Sequence, residues 1–202
     1  MKKTALFIFL FFLIGYFTAC RHAGNSKTHG RDSISSNSSN DSFELASLVV
    51  KVLKWSESDR QIDFNVTKTN SGDSIYSGID WSTHKKRMAD LSKTDFFTDD
   101  FLNNYNNIAL HIDKELKTNP TKYLEGDIQP WSDDTNDWCK CQDFPDSIWE
   151  KLKIVDLISH GDSANFKWSW GDNYYYSVKT KKENGSWRIS YLERFDIQKF
   201  SW

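Results

Sequence analysis

Cys139-Lys140-Cys141 is the first place in this chain where residue types and spacing offer chemistry. Two thiols one residue apart allow three outcomes: an intramolecular disulfide, a pair of reduced structural thiols, or a metal or redox site. An oxidising compartment favours the disulfide. The tightness of a Cys-x-Cys ring works against it, because the two Cα atoms sit near or beyond the usual bridging range. A zinc site needs two further ligands, and only the fold could bring His111 or His160 to supply them.

The same segment, Tyr123–Pro145, holds Asp127, Asp133, Asp134, Asp137 and Asp143 together with Asn136. Around calcium these groups would have to supply about six to eight oxygens. Asp133-x-Thr135-x-Asp137 begins like a calcium loop, but the glycine and the distal Glu are missing, so the run reads as a solvated acidic loop. Tyr123, Trp131, Trp138 and Phe144 lie among these acids. They read either as a lid touching a ligand or partner or as plugs in the core, and the cost of exposing large rings favours plugs. An aromatic loop beside acids is still the place to seek a binding surface, so Tyr123, Trp131, Asp133, Asp134 and Trp138 are expected to form it.

Acid–base chemistry has one weak candidate. His111 and Glu115 are one helical turn apart, so their side chains can meet; His111 could also face Asp127 across the fold. A surface ion pair is the plainer reading of such a His and Glu. His84 and His160 read as surface or turn residues. No serine elbow, phosphate-cradling glycine loop or His-Glu-x-x-His run is present in the sequence. The sequence calls for no metal and no cofactor, and an enzyme is the weaker expectation. The 26 Lys and Arg nearly balance 28 Asp and Glu, which argues against a nucleic-acid binder driven by phosphate neutralisation.

These residues must be positioned by two differently patterned halves. Leu45, Leu48, Val49, Val52, Leu53 and Trp55 recur at helical spacing, predicting a helix over about Ser42–Ser56 that opens on a capping box at Asp41-Ser42-Phe43-Glu44. Ile62, Phe64 and Val66 alternate within Gln61–Thr69 as a short strand, and Ser71-Gly72-Asp73 turns the chain. A helix from about Trp81 to Ser92 is expected to carry Lys85, Lys86 and Arg87 on a solvated face. In the next helix Thr98 is the cap and Asp99 and Asp100 sit at the positive end. Phe101, Tyr105, Ile108, Ile112 and Leu116 form its stripe, and Asn119-Pro120 stops it.

From Trp149 the period becomes two. Strands are expected over Leu152–Ser159, over Ala164–Trp170, from Tyr174 to Lys179, and around Trp187, Ile189 and Tyr191. Turns fall at His160-Gly161-Asp162, Gly171-Asp172-Asn173 and the hairpin signal Asn184-Gly185. Short turns make an antiparallel meander, and the helices must cover its aromatic face. The expected class is α+β, with N-terminal helices packed on a curved four-stranded meander. Lys167, Ser169, Lys179 and Arg188 are expected on its solvated outer face.

Met1–Cys20 combines Lys2 and Lys3, an apolar run over Ala5–Phe17, and Thr18-Ala19-Cys20. This reads as an export signal, too short for a permanent membrane helix. Its ending resembles the lipobox of bacterial lipoproteins, with Phe17 where leucine is usual. The resemblance implies that Cys20 becomes the acylated first residue, anchoring the chain to the membrane. Without Lys2 and Lys3, 24 basic residues stand against 28 acidic ones, a mature net charge of −4. Residues 21–40, rich in Ser, Asn, Gly and Thr, are expected to be a disordered tether, leaving 41–202 as one domain. Arg21-His22-Ala23-Gly24 lacks the acidic cluster that directs some lipoproteins outward, which implies a domain facing the periplasm, on the outer membrane.

Helices first, a curved antiparallel sheet last, and the ending Asn184-Gly185-Ser186-Trp187-Arg188-Ile189 resemble the nuclear transport factor 2-like superfamily. More narrowly, Leu53-Lys54-Trp55, Asn119-Pro120, Glu125-Gly126-Asp127 and Gly185–Ile189 resemble a family of uncharacterised bacterial envelope lipoproteins with such a cone-shaped domain. Trp55-Ser56 stands where many relatives have Trp-Tyr, and the cysteine pair is a further departure. The resemblance carries no assigned activity. Three functions follow as expectations: a non-enzymatic domain binding a small ligand or a protein, a periplasmic immunity or inhibitor protein using the acidic aromatic loop, and a cone-pocket hydrolase or isomerase.

Overall fold

The apolar stripe of the first helix has to be buried, and it is: Leu45, Leu48, Val49, Val52 and Leu53 are at most 7% exposed. The structure is a computed structural model that describes residues 33–59, 62–69, 75–119, 123–126, 129–132, 135–143, 146, 148–171 and 173–200, all within the unit Ser33–Trp202. The leader, Cys20 and the tether as far as Asp32 lie outside the described residues. Helix α1 spans Ser33–Ser58 and so takes in the last eight residues of the expected tether. No Gly or Pro occurs between Gly30 and Gly72, which lets the helix extend back from its packed half. Asp41 is therefore inside the helix rather than in a capping box. Its carboxylate instead pairs with Lys182, Oδ1 to Nζ 3.2 Å.

Two short strands, β1 (Val66–Lys68) and β2 (Tyr76–Ile79), pair antiparallel. The strand expected from Gln61 is shorter, because Phe64 adopts φ 54° and turns its ring into the core, ending the alternation. Helix α2 (Trp81–Lys93) is capped by Asp80, which accepts from Ser82 N and Thr83 N. Helix α3 (Asp99–Thr118) has Thr98 as its cap, and Phe101, Tyr105, Ile108, Ile112 and Leu116 are fully buried. A single turn, α4 (Ile148–Lys151), leads into the meander.

The meander is β3 (Lys153–His160), β4 (Ser163–Ser169), β5 (Tyr176–Glu183) and β6 (Ser186–Leu192), antiparallel in that order. Asn184 and Gly185 turn the last hairpin at φ 52° and 79°, the left-handed pair this two-residue loop requires. Ala164, Phe166, Trp168, Tyr176, Val178, Thr180, Trp187, Ile189 and Leu192 make the buried face, which α1 and α3 cover. Two bulges change the expected facing. In β6 the pairing passes from Thr180↔Ile189 to Lys179↔Tyr191, so Ser190 is the extra residue and Leu192 turns inward. Tyr191 is left half-buried, with its hydroxyl on Asp196 Oδ2 at 3.0 Å. In β3 the break around Asp156 leaves Ile158 56% exposed. On the other face Ser169 is buried, its Oγ accepting from Gly171 N at 3.1 Å, and Arg188 is paired with Asp95 and Glu183. Among the described residues no helix is long and apolar enough to cross a membrane.

Candidate functional site

Arg87 reverses its expected place. His84, Arg87 and Leu91 follow at i, i+3 and i+7, which puts them on one face of α2, and that face is the buried one. Lys85 and Lys86 are exposed as expected, but the Arg87 side chain is only 2% exposed. Its guanidinium bonds Asp59 through Nη1 and Asp63 Oδ1 through Nε and Nη2, both at 2.8 Å. The flat cation also lies against an edge-on pair of rings, 5.0 Å from the centroid of Trp55 and 5.6 Å from that of Trp138, which are 5.0 Å from each other.

Asp63 is the hub of this layer. Besides Arg87, it accepts from the Tyr105 hydroxyl on Oδ1 and from Trp138 Nε1 on Oδ2, the latter at 2.7 Å. Burial of Arg87 alone would lower its pKa; Asp63, Tyr105 and Asp59 outweigh that and raise it. Burial and the neighbouring Asp63 charge push the Tyr105 phenol well above its ordinary range. His84 was expected at the surface, yet it is 4% exposed and stacked on Tyr105 at 5.7 Å. Burial lowers its pKa, opposed by the Asn106 hydrogen bond and by Asp63.

Above this layer opens a cleft of about 430 Å³ lined by Asp59, by Ile62–Val66, by Lys68 and Tyr76, and by Gln129, Trp131, Ser132 and Thr135–Trp138. The Asp59 and Asp63 side chains are 13% and 11% exposed against 2% for Arg87, so the cleft meets carboxylates with the cation behind them. Asp137 adds a third carboxylate, held by Arg194 at 3.3 Å, and Lys68 is bonded to Glu125. Ile62, 70% exposed, stands at the rim.

The residues expected to form the binding surface divide. Tyr123, Trp131 and Trp138 are buried plugs, at most 5% exposed. Trp138 packs on Phe195 at 4.6 Å, and Tyr123 donates to Glu115 Oε1 at 2.9 Å. Of the two readings of these rings, their burial fits the plugs rather than an exposed lid, because they fill the core. Trp131 and Trp138 nevertheless line the cleft wall. Asp127, Asp133, Asp134 and Phe144 lie outside the described residues. Asn136 is spent on the turn, its Oδ1 accepting from Trp138 N, and the backbone oxygen of Asp137 accepts from the Tyr176 hydroxyl, which leaves its carboxylate to Arg194 and the cleft.

Cys139 and Cys141 are disulfide-bonded, with Cα atoms 5.2 Å apart, well inside bridging range. His111 is exposed on α3, whereas Glu115 is occupied by Tyr123 and Asn119. His160 is exposed at its turn. Among the described residues no group of three His, Cys, Asp or Glu side chains is placed to hold a metal ion. The sequence reading missed the cluster Asp59, Asp63, His84, Arg87 and Tyr105. The one available signal was the spacing that sets His84 and Arg87 on the same stripe as Leu91. No family model, curated protein or solved structure matches the chain.

Proposed function

We propose that this protein is a lipid-anchored lipoprotein of the bacterial cell envelope, acylated at Cys20, whose domain holds a small ligand in the cleft over Asp59 and Asp63 without catalysing a reaction. The order of helices before a four-stranded antiparallel meander supports a nuclear transport factor 2-like cone as the finer description of the fold. The domain faces the periplasm from the outer membrane, tethered by the residues after Cys20.

The observation that carries the binding reading is the cleft itself. Its volume, about 430 Å³, falls in the ligand-site range of roughly 300–1,000 Å³. Its carboxylates are fixed by Arg87 and Arg194, which makes them oriented acceptors rather than a proton-transfer pair. Tyr76, Trp131 and Trp138 add ring surface beside Asn65, Thr135 and Asn136, a wall suited to a ligand with both polar and flat apolar parts.

Native mass spectrometry of the full chain, released from the envelope in mild detergent, tests this. An added mass of a few hundred daltons that disappears in Tyr76→Ala is the expected result. A bare mass in the wild type, or a turnover abolished by Asp63→Asn, would sink the reading.

A further inference from the structure

Phe43 is the most exposed large apolar side chain among the described residues, at 75%. It stands at a second groove, about 460 Å³ in volume, between the first half of α1, the α2–α3 connection and the β5–β6 turn. Leu48, Phe96 and Trp187 continue the apolar surface inside the groove, while Ser47 and Lys51 follow Phe43 at successive turns of the helix. The charged groups of this groove carry both signs. Glu44 and Asp95 supply carboxylates and Lys51 an ammonium, and Asp95 and Lys51 are exposed.

This groove is close in the chain to the proposed acylation site. Cys20 precedes Ser33, the first residue of α1, by thirteen residues, a stretch that can span at most about 45 Å. Phe43 lies about 15 Å further along α1, and Ser56, in the wall of the cleft over Asp63, about 20 Å beyond Phe43. Among the described residues, Phe43 is therefore the exposed ring that follows the anchor first, and the cleft belongs to the other end of the helix. One ring is too little to hold a free domain on a bilayer. An anchor changes this, because it turns the second contact into an intramolecular one.

We propose that the Phe43 face docks on the bilayer surface and holds the cleft clear of the lipid. Phe43 enters the interface, and the groove seats the headgroup of a zwitterionic phospholipid, its ammonium toward Glu44 and Asp95 and its phosphate toward Lys51. The domain lies on the membrane without crossing it. Charges of both signs in one groove match a headgroup that carries both, whereas a purely anionic headgroup meets two carboxylates with one ammonium to offset them. The inference rests on the acylation of Cys20 and is independent of what the cleft binds.

The full acylated chain, reconstituted in vesicles of phosphatidylcholine and phosphatidylethanolamine, tests the docking. With Cys20 acylated and Cys139 bonded to Cys141, an introduced cysteine takes a nitrobenzoxadiazole label at one place. Asn40→Cys puts the label one turn before Phe43, and Ile62→Cys puts it at the rim of the cleft. Lipids brominated in their acyl chains are expected to quench the first label and spare the second. Phe43→Ser, a change at an exposed position, is expected to abolish the quenching, and phosphatidylglycerol vesicles to weaken it. Chains that float with the vesicles but are quenched equally at both places, or at neither, overturn the docking and leave the anchor standing. Quenching that survives Phe43→Ser, or that strengthens in phosphatidylglycerol, overturns it as well. A chain that fails to float overturns the anchor and the docking together.

Discussion

Two buried regions of this domain are filled by opposite chemistry. The sheet face is apolar and aromatic: Phe166, Trp168, Tyr176, Val178, Ile189 and Leu192 are at most 3% exposed, and the Thr180 hydroxyl finds Ala164 O. The layer beneath the cleft is ionic, with Arg87 paired to Asp59 and Asp63 and packed against the Trp55 and Trp138 rings. In the first region each side chain contributes through the area it removes from water, so truncations lower stability in proportion to size. In the second each partner offsets the desolvation of the others, so removing one leaves a charge that no longer has its counterpart. Similar burial thus gives a graded response in one region and an all-or-nothing response in the other.

Arg87→Ala is the sharpest way to break this contrast. It leaves Asp59 and Asp63 beside a void, and urea unfolding is expected to show a loss of about 3–5 kcal/mol. Ile189→Val on the sheet face is expected to cost about 1 kcal/mol in the same assay. Equal costs for the two would mean that water already compensates the carboxylates.

A smaller effect separates packing from hydrogen bonding within the ionic layer. Trp138→Phe keeps a ring against Phe195 but removes the donor to Asp63 Oδ2. The expected cost is about 1.5–3 kcal/mol, the range for a hydrogen bond to a charged group. A cost no greater than that of Ile189→Val would reduce Trp138 to a plug.

The smallest effect is a pH slope. Burial lowers the pKa of His84, so between its folded value and about 6.5 the unfolded chain binds a proton that the folded chain does not. Its contribution is complete above about pH 6.5 and is lost as pH falls through the folded value. The unfolding midpoint of the wild type is therefore expected to fall more between pH 7.5 and 5.5 than that of His84→Gln. Parallel curves would show that His84 is hydrated in the folded state.

The two regions were also unequally legible. The sheet was readable because alternation and turn residues are local signals: Phe166 and Trp168 share a face by spacing alone, and Asn184-Gly185 specifies its hairpin. The α3 stripe from Phe101 to Leu116 was readable for the same reason. The bulge at Ser190 was not, because one inserted residue leaves no compositional mark while it exchanges Tyr191 for Leu192 on the core face. The ionic layer was least readable. Asp63 meets Arg87, Tyr105 and Trp138 across separations of 24, 42 and 75 residues. A lone Arg beside two lysines looks like a solvated face until the opposing acids are placed.

By itself the sequence determined the α+β class, the three long helices, the meander with its turns, and the burial of Phe101, Tyr105, Phe166, Trp168 and Tyr176. Periodicity and turn chemistry are properties of neighbouring residues, and the hydrophobic effect acts on them without reference to distant partners. The tertiary structure alone decided that Arg87 and His84 face inward, that Trp138 closes a charged layer as well as a core, and that a cleft opens above Asp59 and Asp63. Those outcomes depend on which distant groups meet, because a buried charge is tolerated only where the fold delivers its partner.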